Sequence, residues 1–164
     1  LVLSRYSGGE AQNYHWNEFL VSKEWVRRHP GTGHSFLMTN DGLFGIMASN
    51  VHNAWMRTVC GRLKSDYRYA KDIVYNNFPW CNPTDEQKAK IEQTAQAILD
   101  ARALYPDCSL ADLYDELTMP AELRKAHQAN DKAVMQAYGF DIKTMTESTC
   151  VAELMKMYQA LTDK

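Results

Sequence analysis

Several features that would assign a chemistry are missing from this chain. There is no GxxxxGK[ST] phosphate loop, no GxGxxG fingerprint, no GxSxG elbow and no HExxH pair in its 164 residues, so none of the usual nucleotide, hydrolase or zinc-protease motifs is present. Cysteine is scarce: Cys60, Cys81, Cys108 and Cys150 lie 21, 27 and 42 residues apart. No two make a CxxC pair and no histidine stands beside them at ligand spacing, which argues against a zinc site or a disulfide scaffold. Reduced, partly buried thiols in a cytoplasmic protein are expected instead. His15, His29, His34, His52 and His127 are equally scattered. No apolar run approaches the ~20 residues a bilayer requires, and no basic-apolar-small leader opens the sequence. The first residue is Leu1 rather than Met, so a piece of a longer protein is expected.

What is present is an ordinary globular composition, 45% hydrophobic and 23% charged, which suffices for a packed core. The net charge of −2 hides an asymmetry. Residues 1–72 hold nine Lys/Arg against six Asp/Glu, a balance of +3, whereas residues 73–164 hold nine against fourteen, a balance of −5. In the first part, Arg57, Arg62, Lys64, Arg68 and Lys71 fall within fifteen residues with Asp66 as the one acid among them. A polyanion is expected to dock there.

Along the chain, residues 1–34 read as loops around a modest apolar patch, and "GTGHS" (31–35) reads as a turn. "SFLMT" and "LFGIMA" flank Asn40-Asp41-Gly42, and Asp-Gly between apolar runs predicts a β-hairpin ending near Ala48. A helix follows, capped by Ser49 or Asn50, with Val51, Trp55, Val59 and Leu63 at four-residue spacing. On such a helix Arg57, Lys64 and Arg68 line one side, and Arg62 and Asp66 are an i,i+4 pair. Asn50, His52, Asn53, Ser65, Tyr67 and Tyr69 add hydrogen-bonding groups for phosphates or base edges. The basic stripe has a second reading, as charge that simply keeps a helix soluble.

"NNFPWCNP" cannot continue a helix and marks a boundary. Everything beyond it reads as helical. Thr84 and Gln87 form a capping-box pattern ahead of an apolar face of Ile91, Ala95, Ile98 and Leu99 that runs to about Leu104. Ser109 opens a short helix with Leu110, Leu113 and Tyr114. Pro120 opens another with Leu123, His127, Val134 and Tyr138, closed by Gly139. Thr146 caps a last one with Val151, Leu154, Tyr158 and Leu161. The fold class is α+β and mainly α: a short β-hairpin element and a helix, followed by an all-helical bundle. The division falls at 1–80 and 81–164. The Asp115-Glu116 acid pair reads as a solvated face and His127 as a satisfied, half-buried histidine rather than a general base.

"HNAWMRTVCGRLKSDYRYAKDIVYNNFPW" (52–80) resembles the segment that closes the target-recognition domain of the MmeI-like, type IIL restriction-modification DNA methyltransferases. "IEQTAQAILDARALYPDCSLADLYDELTMPAELRKAHQANDKAVMQAYGF" (91–140) resembles the C-terminal helical domain of the same family. Two positions depart from the family wording, Ala70 where Ser is usual and Cys81 where Pro is usual. The resemblance implies a fragment of an enzyme that transfers a methyl group from S-adenosylmethionine to the N6 of a flipped-out adenine. The cofactor motif and the Asn-Pro-Pro-Tyr catalytic loop would lie outside this fragment, which has no catalytic or metal-binding residue and holds no cofactor of its own. Its implied partners are double-stranded DNA and the methyltransferase domain of the same polypeptide, with no membrane. Arg57, Arg62, Lys64 and Arg68 become the expected phosphate contacts, with Ser65, Tyr67 and Tyr69 beside them. Base-reading residues would lie before Phe44. The alternatives are a helical module packing against a partner domain without touching DNA, and a small independent enzyme.

Overall fold

The computed structural model describes residues 41–63 and 66–163, the side chains of Asp41, Leu63, Asp66, Arg68 and Lys71 excepted. Helix α1 (Asp41–Met47) is the first departure from the sequence reading. The Asp-Gly hairpin expected over 35–48 gives way to a helix from Asp41 onward, and its first half, "SFLMT", lies outside the described residues. Phe44 and Met47, three residues apart, are both buried, and this helical repeat outweighs the turn tendency of Asp-Gly because it seats α1 on the rest of the core.

Helix α2 (Asn50–Val59) starts where expected, with Ser49 as N-cap accepting from the His52 N–H. It ends four residues short of Leu63. Cys60 is extended, and two antiparallel strands follow, β1 (Gly61–Leu63) and β2 (Asp66–Arg68). Their register pairs Gly61 with Arg68, Arg62 with Tyr67 and Leu63 with Asp66. Among the described residues the β-hairpin therefore lies after α2, and Arg57, on the helix, and Arg68, on a strand, do not share one helix side. β-branched Thr58 and Val59 followed by Gly61 weaken helix continuation at this point. A single π-helical turn, π1 (Lys71–Tyr75), comes next. Asn77 closes this turn, its Nδ2 donating to both Asp72 O and Ile73 O at 3.1 Å.

The helical remainder follows the reading closely: α3 (Asp85–Ala103), α4 (Leu110–Leu113), α5 (Ala121–Ala137) and α6 (Glu147–Thr162). Thr84 and Gln87 form the reciprocal capping box, with the Thr84 N–H donating to Gln87 Oε1 at 3.0 Å and the Gln87 N–H to Thr84 Oγ1 at 3.3 Å. Gly139 (φ +70°) ends α5, with the Phe140 N–H reaching back to Met135 O at 2.9 Å in a Schellman arrangement. Leu104 and Leu161, read as apolar-face residues, are instead 63% and 60% exposed, because each stands in or after the last turn of its helix.

One hydrophobic core holds all of this together. Phe44, Met47, Val51, Trp55 and Met56 from α1 and α2 pack in the same cluster as Ile91, Ile98, Leu123, Val134 and Leu154 from α3, α5 and α6. Val74 and Phe78 join it from the segment between. α1 approaches α3 and α5 closely at Gly45, where a Cβ would stand 2.6 Å from Ile91 Cγ2 and 2.9 Å from Asn130 Oδ1. Among the described residues, no helix is long and apolar enough to cross a membrane.

Candidate nucleic-acid interface

The residues singled out from the sequence separate into three groups. Arg62 is exposed on β1, with its guanidinium carbon 4.4 Å from the centre of the Tyr67 ring and Nη2 donating to Tyr67 Oη at 3.1 Å. These two are the cross-strand pair of the hairpin, so the ladder brings together an arginine and a tyrosine on which it can rest. Arg68 occupies β2 opposite Gly61. Lys64 and Ser65 lie outside the described residues. The Arg62–Asp66 i,i+4 pairing expected of a helix does not apply, since the two sit on different strands.

Arg57, in the last turn of α2, is not spare charge: its Nε donates to Glu147 Oε1 at 2.8 Å, and its side chain is only 26% exposed. Tyr69 is half-buried, its hydroxyl 3.2 Å from His52 Nε2.

His52 and Asn53, expected to offer hydrogen bonds outward, are buried at 1% and 2% exposure. Helix α2 is covered on every side from Val51 to Met56, so polar residues at these positions face neighbouring elements, not solvent. His52 sits edge-on to Phe78 at 4.6 Å, and the Phe78 and Trp80 rings meet edge-to-face at 4.9 Å. Burial holds the His52 imidazole down to about 3, so the ring is neutral, and its buried Nδ1 has no hydrogen-bond partner. The aromatic-proline knot is thereby an anchor. Trp55 Nε1 donates to Val74 O at 3.0 Å, and Tyr138 Oη donates to Pro79 O at 3.1 Å. Burial also pushes the Tyr69 and Tyr138 phenols above their ordinary range.

Two polar arrangements were not legible in the sequence. Asn50 donates twice to Asp131 of α5, from its backbone N–H to Oδ1 at 2.8 Å and from Nδ2 to Oδ2 at 2.7 Å. Farther away, Tyr114 Oη accepts from Arg102 Nε at 2.8 Å and also meets Arg102 Nη2. With its lone pairs so occupied, Tyr114 donates to His127 Nε2 at 2.7 Å. Burial brings His127 to about 3, so it is the neutral, satisfied acceptor that its place on the α5 stripe suggested. For the second arrangement the signal is a polar residue on an apolar helix stripe, His127, whereas exposed Asn50 gives none, its partner lying eighty-one residues away.

Among the described residues no group of three or more His, Cys, Asp or Glu could hold a metal ion. None of the four cysteines forms a disulfide: Cys60 and Cys81 are half-buried, Cys108 is exposed and Cys150 is buried. Burial raises the Cys150 thiol to about 11.

Comparison with known proteins places these elements. Residues 34–82 match the family described as the MmeI target recognition domain, and residues 83–164 match the MmeI C-terminal domain. The chain is 38% identical over 122 residues to DNA methyltransferase A of Bacillus subtilis (strain 168), covering 74% of this chain and 14% of that protein. It also superimposes, with a TM-score of 0.73 and 50% identity, on a solved structure of the Type IIL restriction-modification enzyme MmeI in complex with DNA. That match covers 76% of this chain and 17% of the solved one, so the chain spans well under a quarter of the length of either relative. The chain belongs to the MmeI family, and carries target-recognition sequence followed by the C-terminal domain.

Proposed function

We propose that this chain is the DNA-holding and helical C-terminal portion of a site-specific DNA adenine-N6 methyltransferase of a restriction-modification system, acting in the cytoplasm. The methyl donor, S-adenosylmethionine, and the catalytic loop belong to a methyltransferase domain of the same polypeptide. The recognition part runs to about residue 80, and residues 81–164 orient it. The observation that carries this reading is the β1–β2 hairpin, which pairs Arg62 with Tyr67 across the ladder and sets Arg68 on its second strand, the one pair of strands among the otherwise helical described residues. Arg62 is exposed and already stacked on Tyr67, so less side-chain freedom is lost when it meets a phosphate. Each phosphate neutralised releases a condensed counterion. Arg57 reaches a phosphate only by leaving Glu147, and Tyr69 only by leaving His52, so both rank behind exposed Arg62. Support also comes from the solved relative, which is in complex with DNA. The balance of −5 over residues 73–164 suits the helices to orienting rather than broad DNA contact.

The test is duplex binding measured across a salt series. The R62A/R68A double variant is expected to bind more weakly, with the slope of log K against log salt shallower by about 2. An unchanged affinity and slope would remove DNA holding from this hairpin.

A further inference from the structure

Helix α2 enters the hairpin with one residue, Cys60, between Val59 and Gly61. Its orientation therefore sets where β1 and β2 are presented. At ten residues α2 is about 15 Å long, and a carboxylate from the C-terminal domain holds each end. At the start, Asp131 of α5 takes both Asn50 hydrogen bonds, at 2.8 and 2.7 Å. At the end, Glu147 of α6 takes Arg57 at 2.8 Å. The two contacts differ in kind. Arg57–Glu147 joins two long side chains, and Glu147 is 58% exposed, an arrangement that contributes little. Each contact has one exposed and one half-buried partner, Asn50 being exposed and Asp131 half-buried. What sets Asn50–Asp131 apart is that it is a two-point contact between short side chains that includes the backbone N–H itself. The negative charge of Asp131 also lies at the N-terminus of α2, where the helix dipole favours it.

We infer that Asp131, acting through Asn50, is a positioning residue for the DNA-holding hairpin: the C-terminal domain aims α2, and α2 aims β1 and β2. This rests on the proposed function above. A hairpin hung on a loosened α2 makes fewer simultaneous phosphate contacts even though its own residues are intact.

The chemistry of the pair allows a reciprocal test. Asn50→Asp sets a new carboxylate at an exposed position against the half-buried one of Asp131. Adding Asp131→Asn restores the match with the roles exchanged. The backbone N–H at position 50 then donates to the carbonyl oxygen of the new amide on α5, and that amide's NH₂ donates to the new carboxylate on α2. The N50D variant is expected to lose about tenfold in duplex affinity with a shallower salt slope, and N50D/D131N to recover most of both. Partial unfolding alone would reduce the fraction of chains able to bind and leave the slope of the remainder unchanged. Asn50→Ala keeps the backbone bond, removes only the side-chain one and creates no repulsion, so it serves if N50D does not fold. It is expected to lose a few-fold in affinity. If R62A/R68A weakens binding but N50D and N50A bind like the unaltered chain, the positioning role falls and the DNA reading stands. A loss in N50D that the second substitution does not restore also overturns the role, since Asn50 would then act directly. If R62A/R68A has no effect, both readings fail together.

Discussion

Asn130 donates from Nδ2 to the Gly45 carbonyl at 2.7 Å, joining the middle of α5 to the middle of α1 across eighty-five residues of sequence. Its Oδ1 accepts from Thr94 Oγ1 of α3 at 3.1 Å. The side chain is fully buried, so a polar group left behind by its removal cannot recover a bond from water. Asn130→Ala takes the side-chain donor away from the Gly45 carbonyl and opens a small void. We expect a loss of about 1–3 kcal/mol, read as a lower urea midpoint at unchanged m-value. A midpoint within error of the unaltered chain would mean that this bond contributes nothing net.

Gly45 sits in the interior of α1, where glycine costs helix stability by about 0.5–1 kcal/mol against alanine. Gly45→Ala would therefore stabilise the helix if space were available. It is not: the new methyl would stand 2.6 Å from Ile91 Cγ2 and 2.9 Å from Asn130 Oδ1. Ile91 is itself buried and β-branched, so it cannot swing aside. The packing penalty wins, and we expect a net loss of about 1–3 kcal/mol with a lower melting temperature. A rise in melting temperature would show that α1 shifts off α3 at little cost.

His52 and His127 are both held to about 3 by burial, against an unfolded value of about 6.5. The fold thus favours the neutral ring, and its stabilisation is complete above pH ~6.5 and drains away as pH falls toward 3. Each group contributes a slope of at most about 1.4 kcal/mol per pH unit in that window. Asp131 acts with the opposite sign, because burial raises its carboxyl. Melting temperatures taken from about pH 7.5 to about pH 5 should fall steeply, and H52Q/H127Q should flatten that decline. Glutamine can still meet the Tyr69 and Tyr114 hydroxyls but does not titrate in this range. An equally steep decline in the double variant would move the acid sensitivity to other groups.

Local chemistry explains which elements the sequence reveals. Thr84 with Gln87, Ser49, Thr146 and Gly139 each act within four residues of themselves, and each bounds a helix where its chemistry predicts. The misplaced hairpin has a nonlocal cause. Asp41-Gly42 carries a turn signal, but α1 is decided by Phe44 and Met47 meeting residues some fifty positions away. The true hairpin has strands of three residues, too short to show alternation. It also overlaps the four-residue spacing from Val51 to Leu63, which reads as one continuous helix. In the candidate site, clustering of the basic residues was visible, but their arrangement was not. Nothing near Arg57 in sequence announces Glu147, and nothing near Asn50 announces Asp131. Polar His52 and Asn53 read as outward-facing because periodicity cannot show a helix enclosed on all sides.

The single core that joins α1 and α2 to α3, α5 and α6 bears on how specificity can be exchanged between relatives. The family boundary falls between residues 82 and 83, yet Gly45 fits against Ile91 and Asn130, and Asn50 against Asp131, on its far side. A chimaera joined at that boundary would confront each of these residues with a partner selected in another protein. A graft that carries residues 41–163 as one block keeps these matched pairs together, whereas one joined between 82 and 83 parts every one of them.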